Sequence, residues 1–303
     1  MSIGELAEQA GVTVKTVRFY SDRGLLPETG RSAGGHRRYG AEALDRLRLI
    51  RSLRALDLPV PEVGRVLDRE DVLEGVIAGQ LRSLGTQLNA LRWREAALRL
   101  LTDCTAEERA DRLRLIGAVP TPPDTTALAR FWRQWLPARL PARLVSVILE
   151  QAVPQPPADP TPAQVLTFAR LHALVSGACD PHLGPEHTQP ASHRPDRDFR
   201  PDVLYDGLLE SYALASADLR AQRSPYDGEA LDCFVSAYAG SRGLRDTPDL
   251  RRRLGSQLAA DPRIDRYWQL TAELTAPPSG PPAPTAGAAH DWLCAALDAQ
   301  LAR

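Results

Sequence analysis

Two short amphipathic segments follow one another at the start of the chain, and each is closed by a glycine. Residues 2–10 read as a helix: Ser2 and Glu5 stand three apart, as in a capping box, and Ile3, Leu6, Ala7 and Ala10 share one face. Gly11 ends it. Thr13 then caps a second helix that turns Val14, Val17 and Tyr20 or Ser21 inward and stops at Gly24. Two such helices joined by a tight turn form a helix-turn-helix. Leu25-Leu26-Pro27 leaves it in extended form. The turn-rich stretch Gly30–Gly35 and the basic return His36-Arg37-Arg38-Tyr39 then make a small hairpin, a wing.

Residues 41–56 carry Ala43, Leu44, Leu47, Ile50, Leu53 and Leu56 at core spacing, a third helix, and Pro61 opens a short one through Leu67. Residues 71–102 form a longer helix. Ile77, Leu81, Leu84, Leu88, Leu91, Glu95 and Leu98 alternate at spacings of four and three, a heptad seam with one polar member. Such a seam needs a partner, either elsewhere in its own chain or on a second copy. The helix-turn-helix upstream favours the second copy. Gly75, Gly79 and Gly85 each cost this helix about 1 kcal/mol relative to alanine, so packing must hold it.

Pro120, Pro122 and Pro123 mark the next boundary. Beyond it the periodicity predicts helices near 125–136, 140–152, 162–178, 202–221, 228–240, 247–260, 263–275 and 288–302, with proline-rich breaks at 154–162, 181–201 and 277–284. No alternating strand pattern stands out. The expected fold class is mainly α: a winged helix-turn-helix over 1–70, a dimerisation helix over 71–103 and an all-helical domain over 120–303.

Charge is unevenly shared. Residues 1–56 hold ten Lys or Arg against six Asp or Glu, and the remainder holds 27 against 32. A basic head on an acidic body points to a polyanionic partner for the head. The four cysteines, Cys104, Cys179, Cys233 and Cys294, are far apart, which argues against a disulfide scaffold and against a paired-cysteine metal site. No apolar run reaches eighteen residues, and the N-terminus lacks a signal peptide's basic start and apolar stretch. The expected location is cytoplasmic, with no membrane partner and no cofactor.

Thr16-Val17-Arg18-Phe19-Tyr20, then Gly24-Leu25-Leu26-Pro27, then Gly35-His36-Arg37-Arg38-Tyr39 occur in that order. Together they resemble the MerR family of bacterial transcriptional regulators. Leu56–Val63 is similar to the family's next segment, with a departure at Asp57-Leu58-Pro59. The resemblance covers residues 2–68 and extends more loosely to the helix at 71–102, which in the family pairs antiparallel across a dimer. It implies a homodimer on double-stranded promoter DNA, acting with RNA polymerase at the same promoter by distorting the duplex. It places Thr13, Lys15, Thr16, Arg18 and Tyr20 on the recognition helix in the major groove. Arg37 and Arg38 would grip the backbone from the wing. Tyr39 adds a phosphate hydrogen bond, and Arg54 contributes from the third helix. Arg18 is the best candidate for a base edge. Tyr20 and Tyr39 also read as packing between wing and helix. Phe19 reads as core, and His36 as a structural wing residue.

For the C-terminal region, Cys104 has no cysteine near it, so metal or iron–sulfur sensing is disfavoured. Trp132, Trp135, Tyr212, Tyr238 and Trp268 are candidate walls of a pocket for a small organic effector, or else ordinary core aromatics. His172 and Glu210 are candidate polar anchors. Nucleophile-elbow, zincin and phosphate-loop motifs are missing, so no enzyme is expected. His187 and His193, among Asp180, Glu186, Asp196 and Asp198, are too irregularly spaced to suggest more than a solvated loop. The alternatives for this region are a protein-interaction module and a cryptic enzyme-like domain.

Overall fold

The computed structural model describes residues 1–102, 104–177, 199–258, 262–277 and 283–303. Cys179 and the loop carrying His187 and His193 lie outside them. The described chain holds fourteen α-helices and one two-stranded sheet, and it divides into two compact units, Met1–Leu88 and Asn89–Arg303.

In the first unit, α1 (Ile3–Ala10) begins with a complete Ser2–Glu5 capping box and ends on Gly11 at φ 63°. That left-handed conformation admits glycine at no steric cost. α2 (Val14–Asp22) starts at Thr13, whose side chain accepts the Thr16 N–H. β1 (Gly30–Arg31) and β2 (Arg37–Arg38) pair antiparallel in the register Gly30–Arg38 and Arg31–Arg37. The wing's return is pinned to the chain start: the Tyr39 N–H donates to the Met1 carbonyl at 2.9 Å, and the Met1 amino group donates to the Tyr39 carbonyl at 2.7 Å. α3 (Glu42–Ala55) and α4 (Val60–Asp68) complete the head. Its core gathers Leu6, Val17, Leu26, Tyr39, Leu47, Ile50 and Val63. α5 (Leu73–Leu100) follows, and the division between the units falls within its length.

The second unit contains α6 (Ala106–Gly117), α7 (Thr126–Trp135), α8 (Ala142–Ala152), α9 (Pro162–Val175) and α10 (Pro201–Arg220). It is completed by α11 (Glu229–Ser241), α12 (Pro248–Gln257), α13 (Pro262–Thr275) and α14 (Ala286–Leu301). Prolines open α9, α10, α12 and α13, where the missing N–H would lack an intrahelical partner anyway. α10 and α11 approach closely at Gly207, where a methyl group would lie 2.6 Å from the Ala237 Cβ. Two apolar clusters form the interior. One joins Leu204, Leu208, Phe234, Tyr238 and Leu293, and the other joins Trp93, Phe131, Trp132, Phe168, Tyr267 and Leu270.

Two features differ from the expected organisation. Periodicity gave no helix between 103 and 120, yet α6 is there, opened by a Thr105–Glu108 capping box and held by Arg112 donating to the Leu100 carbonyl at 2.7 Å. The core of the second unit also extends across the boundary expected at Pro120. Trp93, Ala96 and Leu100 of α5 are buried in the second cluster, with the Trp93 Nε1–H donating to the Pro157 carbonyl at 3.1 Å.

Candidate nucleic-acid interface and interior cavity

α2 has two faces. Val17 and Tyr20 are buried in the head's core, while Thr13, Lys15 and Arg18 are exposed and Thr16 is half-buried. The Thr13 and Thr16 hydroxyls lie 2.9 Å apart and share a hydrogen bond at the helix start. The exposed face is therefore cationic and also sits at the positive end of the helix dipole. Phe19 is corrected from core to surface. It is 43% exposed, with the Arg23 guanidinium 5.1 Å from its ring centre.

The wing arginines differ. Arg38 is exposed, and its carbonyl accepts the Thr29 N–H at 2.8 Å. Arg37 is half-buried and paired with Asp22 at 2.6 Å and Glu28 at 3.2 Å, which ties the wing to the end of α2. Three residues expected on the DNA face make contacts within the head. Tyr39 is a core residue whose hydroxyl donates to the Ser21 Oγ at 3.1 Å, so it fastens wing to helix instead of facing a phosphate. The Tyr20 ring is likewise core. Arg54 is half-buried and donates to the Leu58 carbonyl, securing the turn where Asp57 adopts φ 58°. Arg46 and Arg51 do similar work: Arg46 Nε donates to the Leu25 carbonyl at 2.6 Å, and Arg51 donates to that of Ala10.

On α5, Ile77, Leu81, Leu84, Leu88, Leu91 and Leu98 are all exposed, between 42% and 66%. Glu95, the polar member of the seam, pairs with Arg99 at 2.6 Å.

Within the second unit a cavity of about 200 Å³ opens between helices, and Trp132, Trp135, Tyr212, Tyr238 and Trp268 all line it. They come from α7, α10, α11 and α13. Trp132 meets Trp135 edge-on at 5.5 Å and lies 5.4 Å from Trp268. Tyr267 stands behind them, stacked on Phe131 at 5.7 Å, with its hydroxyl donating to the Ala152 carbonyl at 2.6 Å. Gly287 of α14 also lines the cavity, where a methyl group would run into the Trp268 ring, so glycine lets this helix approach the indole.

The cavity's polar groups are not those expected. His172 lies on α9 and Glu210 is an exposed residue of α10, and neither lines the cavity. Asp265, His290, Asp291 and Cys294 do. His290 Nδ1 shares a hydrogen bond with the Tyr212 hydroxyl at 3.0 Å, and its Nε2 lies 3.5 Å from the Cys294 Sγ. Burial lowers the His290 pKa below its ordinary 6.5, raises the Tyr212 phenol, and pushes the Cys294 thiol up to about 12. At neutral pH all three are uncharged. The spacing of His290 and Cys294, one helical turn apart on α14, was the available signal. Among the described residues no group of three or more His, Cys, Asp or Glu is placed to hold a metal ion, and no described helix is long and apolar enough to cross a membrane.

The sequence model for the MerR HTH family regulatory protein matches residues 1–70. The ZntR-homolog transcriptional regulator of Haemophilus influenzae is 30% identical over 123 residues, which is 38% of this chain and 91% of that protein. The chain belongs to the MerR family. A further MerR-type similarity is to the transcriptional activator TipA of Streptomyces coelicolor, 49% identical over 67 residues, 22% of this chain and 26% of that one. The nodulation protein NolA of Bradyrhizobium sp. strain NC92 is 35% identical over 112 residues, 37% of this chain. The chain spans about half the length of that relative, 47%. No solved structure matches the chain. The basic face of α2 and the wing therefore belong to a MerR-family transcriptional regulator.

Proposed function

We propose that this MerR-family regulator binds promoter DNA as a homodimer in the cytoplasm, alongside RNA polymerase, and that the cavity of its helical unit takes a small organic effector. One observation supports the DNA reading above the others: α2 locks Val17 and Tyr20 into the core while leaving Lys15 and Arg18 in solvent on its opposite side. A helix fixed in that way presents side chains to a major groove with little entropy left to lose. Arg38, and the exposed Phe19 beside Arg18, extend the same contact surface. The exposed seam of α5 supplies the dimer contact, with a second copy of this helix covering it. The effector reading rests on an aromatic cavity with few polar groups, the usual make-up of small-molecule sites.

A fluorescence anisotropy titration of the full chain, on a duplex enriched from random DNA by the same chain, tests this reading. Arg18→Ala should weaken binding by about 1–3 kcal/mol if Arg18 meets a base edge. Unchanged affinity removes Arg18 from the interface.

A further inference from the structure

The hydrogen-bonded corner of the cavity narrows the effector class, and this step rests on the effector reading above. Tyr212 of α10 and His290 of α14 both line the cavity and share a hydrogen bond at 3.0 Å. The imidazole is held in place: the rings of Tyr212 and Phe234 meet it edge-on at 6.0 Å and 5.7 Å, and its Nε2 lies 3.5 Å from the Cys294 Sγ. We infer that the preferred ligand is an uncharged molecule with one aromatic ring among the indoles of Trp132, Trp135 and Trp268 and one hydroxyl group on the Tyr212–His290 pair. The walls set size and shape. A cavity of about 150 Å³ holds benzene, and this one, at about 200 Å³, takes a ring with a short chain. Offset and edge-on contacts with indole favour an aromatic ring over an aliphatic body of the same size.

The pair itself selects a hydroxyl. With the ring proton on Nε2, Tyr212 donates to Nδ1 and its oxygen can accept from a ligand. With the proton on Nδ1, the imidazole donates and the Tyr212 hydroxyl can donate to a ligand. A ligand hydroxyl, both donor and acceptor, fits either arrangement. Four ionisable groups lining the cavity show how it treats charge. Burial is the leading cause that holds His290 below its ordinary value and raises Tyr205, Tyr212 and Cys294, so each keeps its neutral form at pH 7. Surroundings that disfavour their charged forms disfavour a ligand's charge at the same depth. Asp265 and Asp291 line the cavity as exposed residues, and an ion pair with an exposed carboxylate contributes little.

Isothermal titration of the full chain with four probes that share a phenyl ring decides the matter: 2-phenylethanol, its isostere propylbenzene, 2-phenylethylamine as the ammonium ion and 3-phenylpropionate, all at pH 7. The alcohol should bind about tenfold or more tightly than either charged probe. Tyr212→Phe takes one oxygen from the pair. It should weaken 2-phenylethanol by about fivefold to tenfold and leave propylbenzene's affinity in place, which also shows that the variant cavity is intact. A charged probe that binds as tightly as the alcohol overturns the uncharged assignment and leaves the effector reading standing. So does an alcohol affinity that Tyr212→Phe leaves unmoved, or a loss that propylbenzene shares in full, since the hydroxyl then gains nothing from the pair. If none of the four binds, the effector reading falls and takes this inference with it.

Discussion

Arg37 and Arg38 are neighbours on one two-residue strand and do different work. Arg37 spends its charge on Asp22 and Glu28, whereas Arg38 is exposed. Each phosphate contact adds roughly one unit to the slope of log K against log salt. Arg38→Ala should therefore flatten that slope by about one, and Arg37→Ala should change it less while loosening the wing. Equal slopes in salt-dependent anisotropy titrations would mean that Arg37 leaves its carboxylates on DNA. The same contrast explains why the head's charge was legible in the sequence and its distribution was not. Arg46, Arg51 and Arg54 all reach backbone carbonyls. A guanidinium with a carbonyl partner looks, in sequence, the same as one waiting for phosphate. Tyr39 shows the converse: its motif position implied a phosphate contact, and burial gave its hydroxyl to Ser21, eighteen residues away.

Among the elements, α1, α2 and the wing were readable because their signals are local. Capping pairs stand three residues apart, and glycines mark the turns. The same signal was present at Thr105 and Glu108, but α6 carries no buried residue and so shows no clear apolar stripe. α5 showed the opposite pattern, a clear apolar stripe whose side chains are exposed among the described residues. Six large apolar side chains stand exposed along it, and burying each is worth about 1.5–3 kcal/mol. Leu84→Asp with Leu91→Asp would place a charge at two points of the proposed seam and should convert a dimer to monomers in sedimentation velocity. An intact dimer would move the interface off this helix.

In the molecule as a whole, contacts of long sequence separation decide what the sequence could not show. The five cavity aromatics were picked for their type alone, and the structure brings them to one cavity from four helices. His290 reaches Tyr212 across 78 residues, a distance at which no spacing rule applies. Trp93 is built into the same unit from the end of α5. A fragment covering 89–303 should consequently fold and melt cooperatively by circular dichroism. A fragment covering 120–303 loses Trp93, Ala96 and Leu100 from its core and should melt lower, since removing even one large core side chain costs about 3–5 kcal/mol. Equal melting temperatures would show that the α5 residues contribute nothing to that unit.

The central claim is a two-fold symmetric protein that reads DNA with a pair of α2 helices, and selection of binding sites from random double-stranded DNA tests it most directly. Two copies related by a two-fold axis require two half-sites related in the same way. The account predicts enrichment of one inverted repeat by the full chain and its loss with Arg18→Ala. A single unpaired half-site, a direct repeat, or a pool without any enriched motif would contradict it.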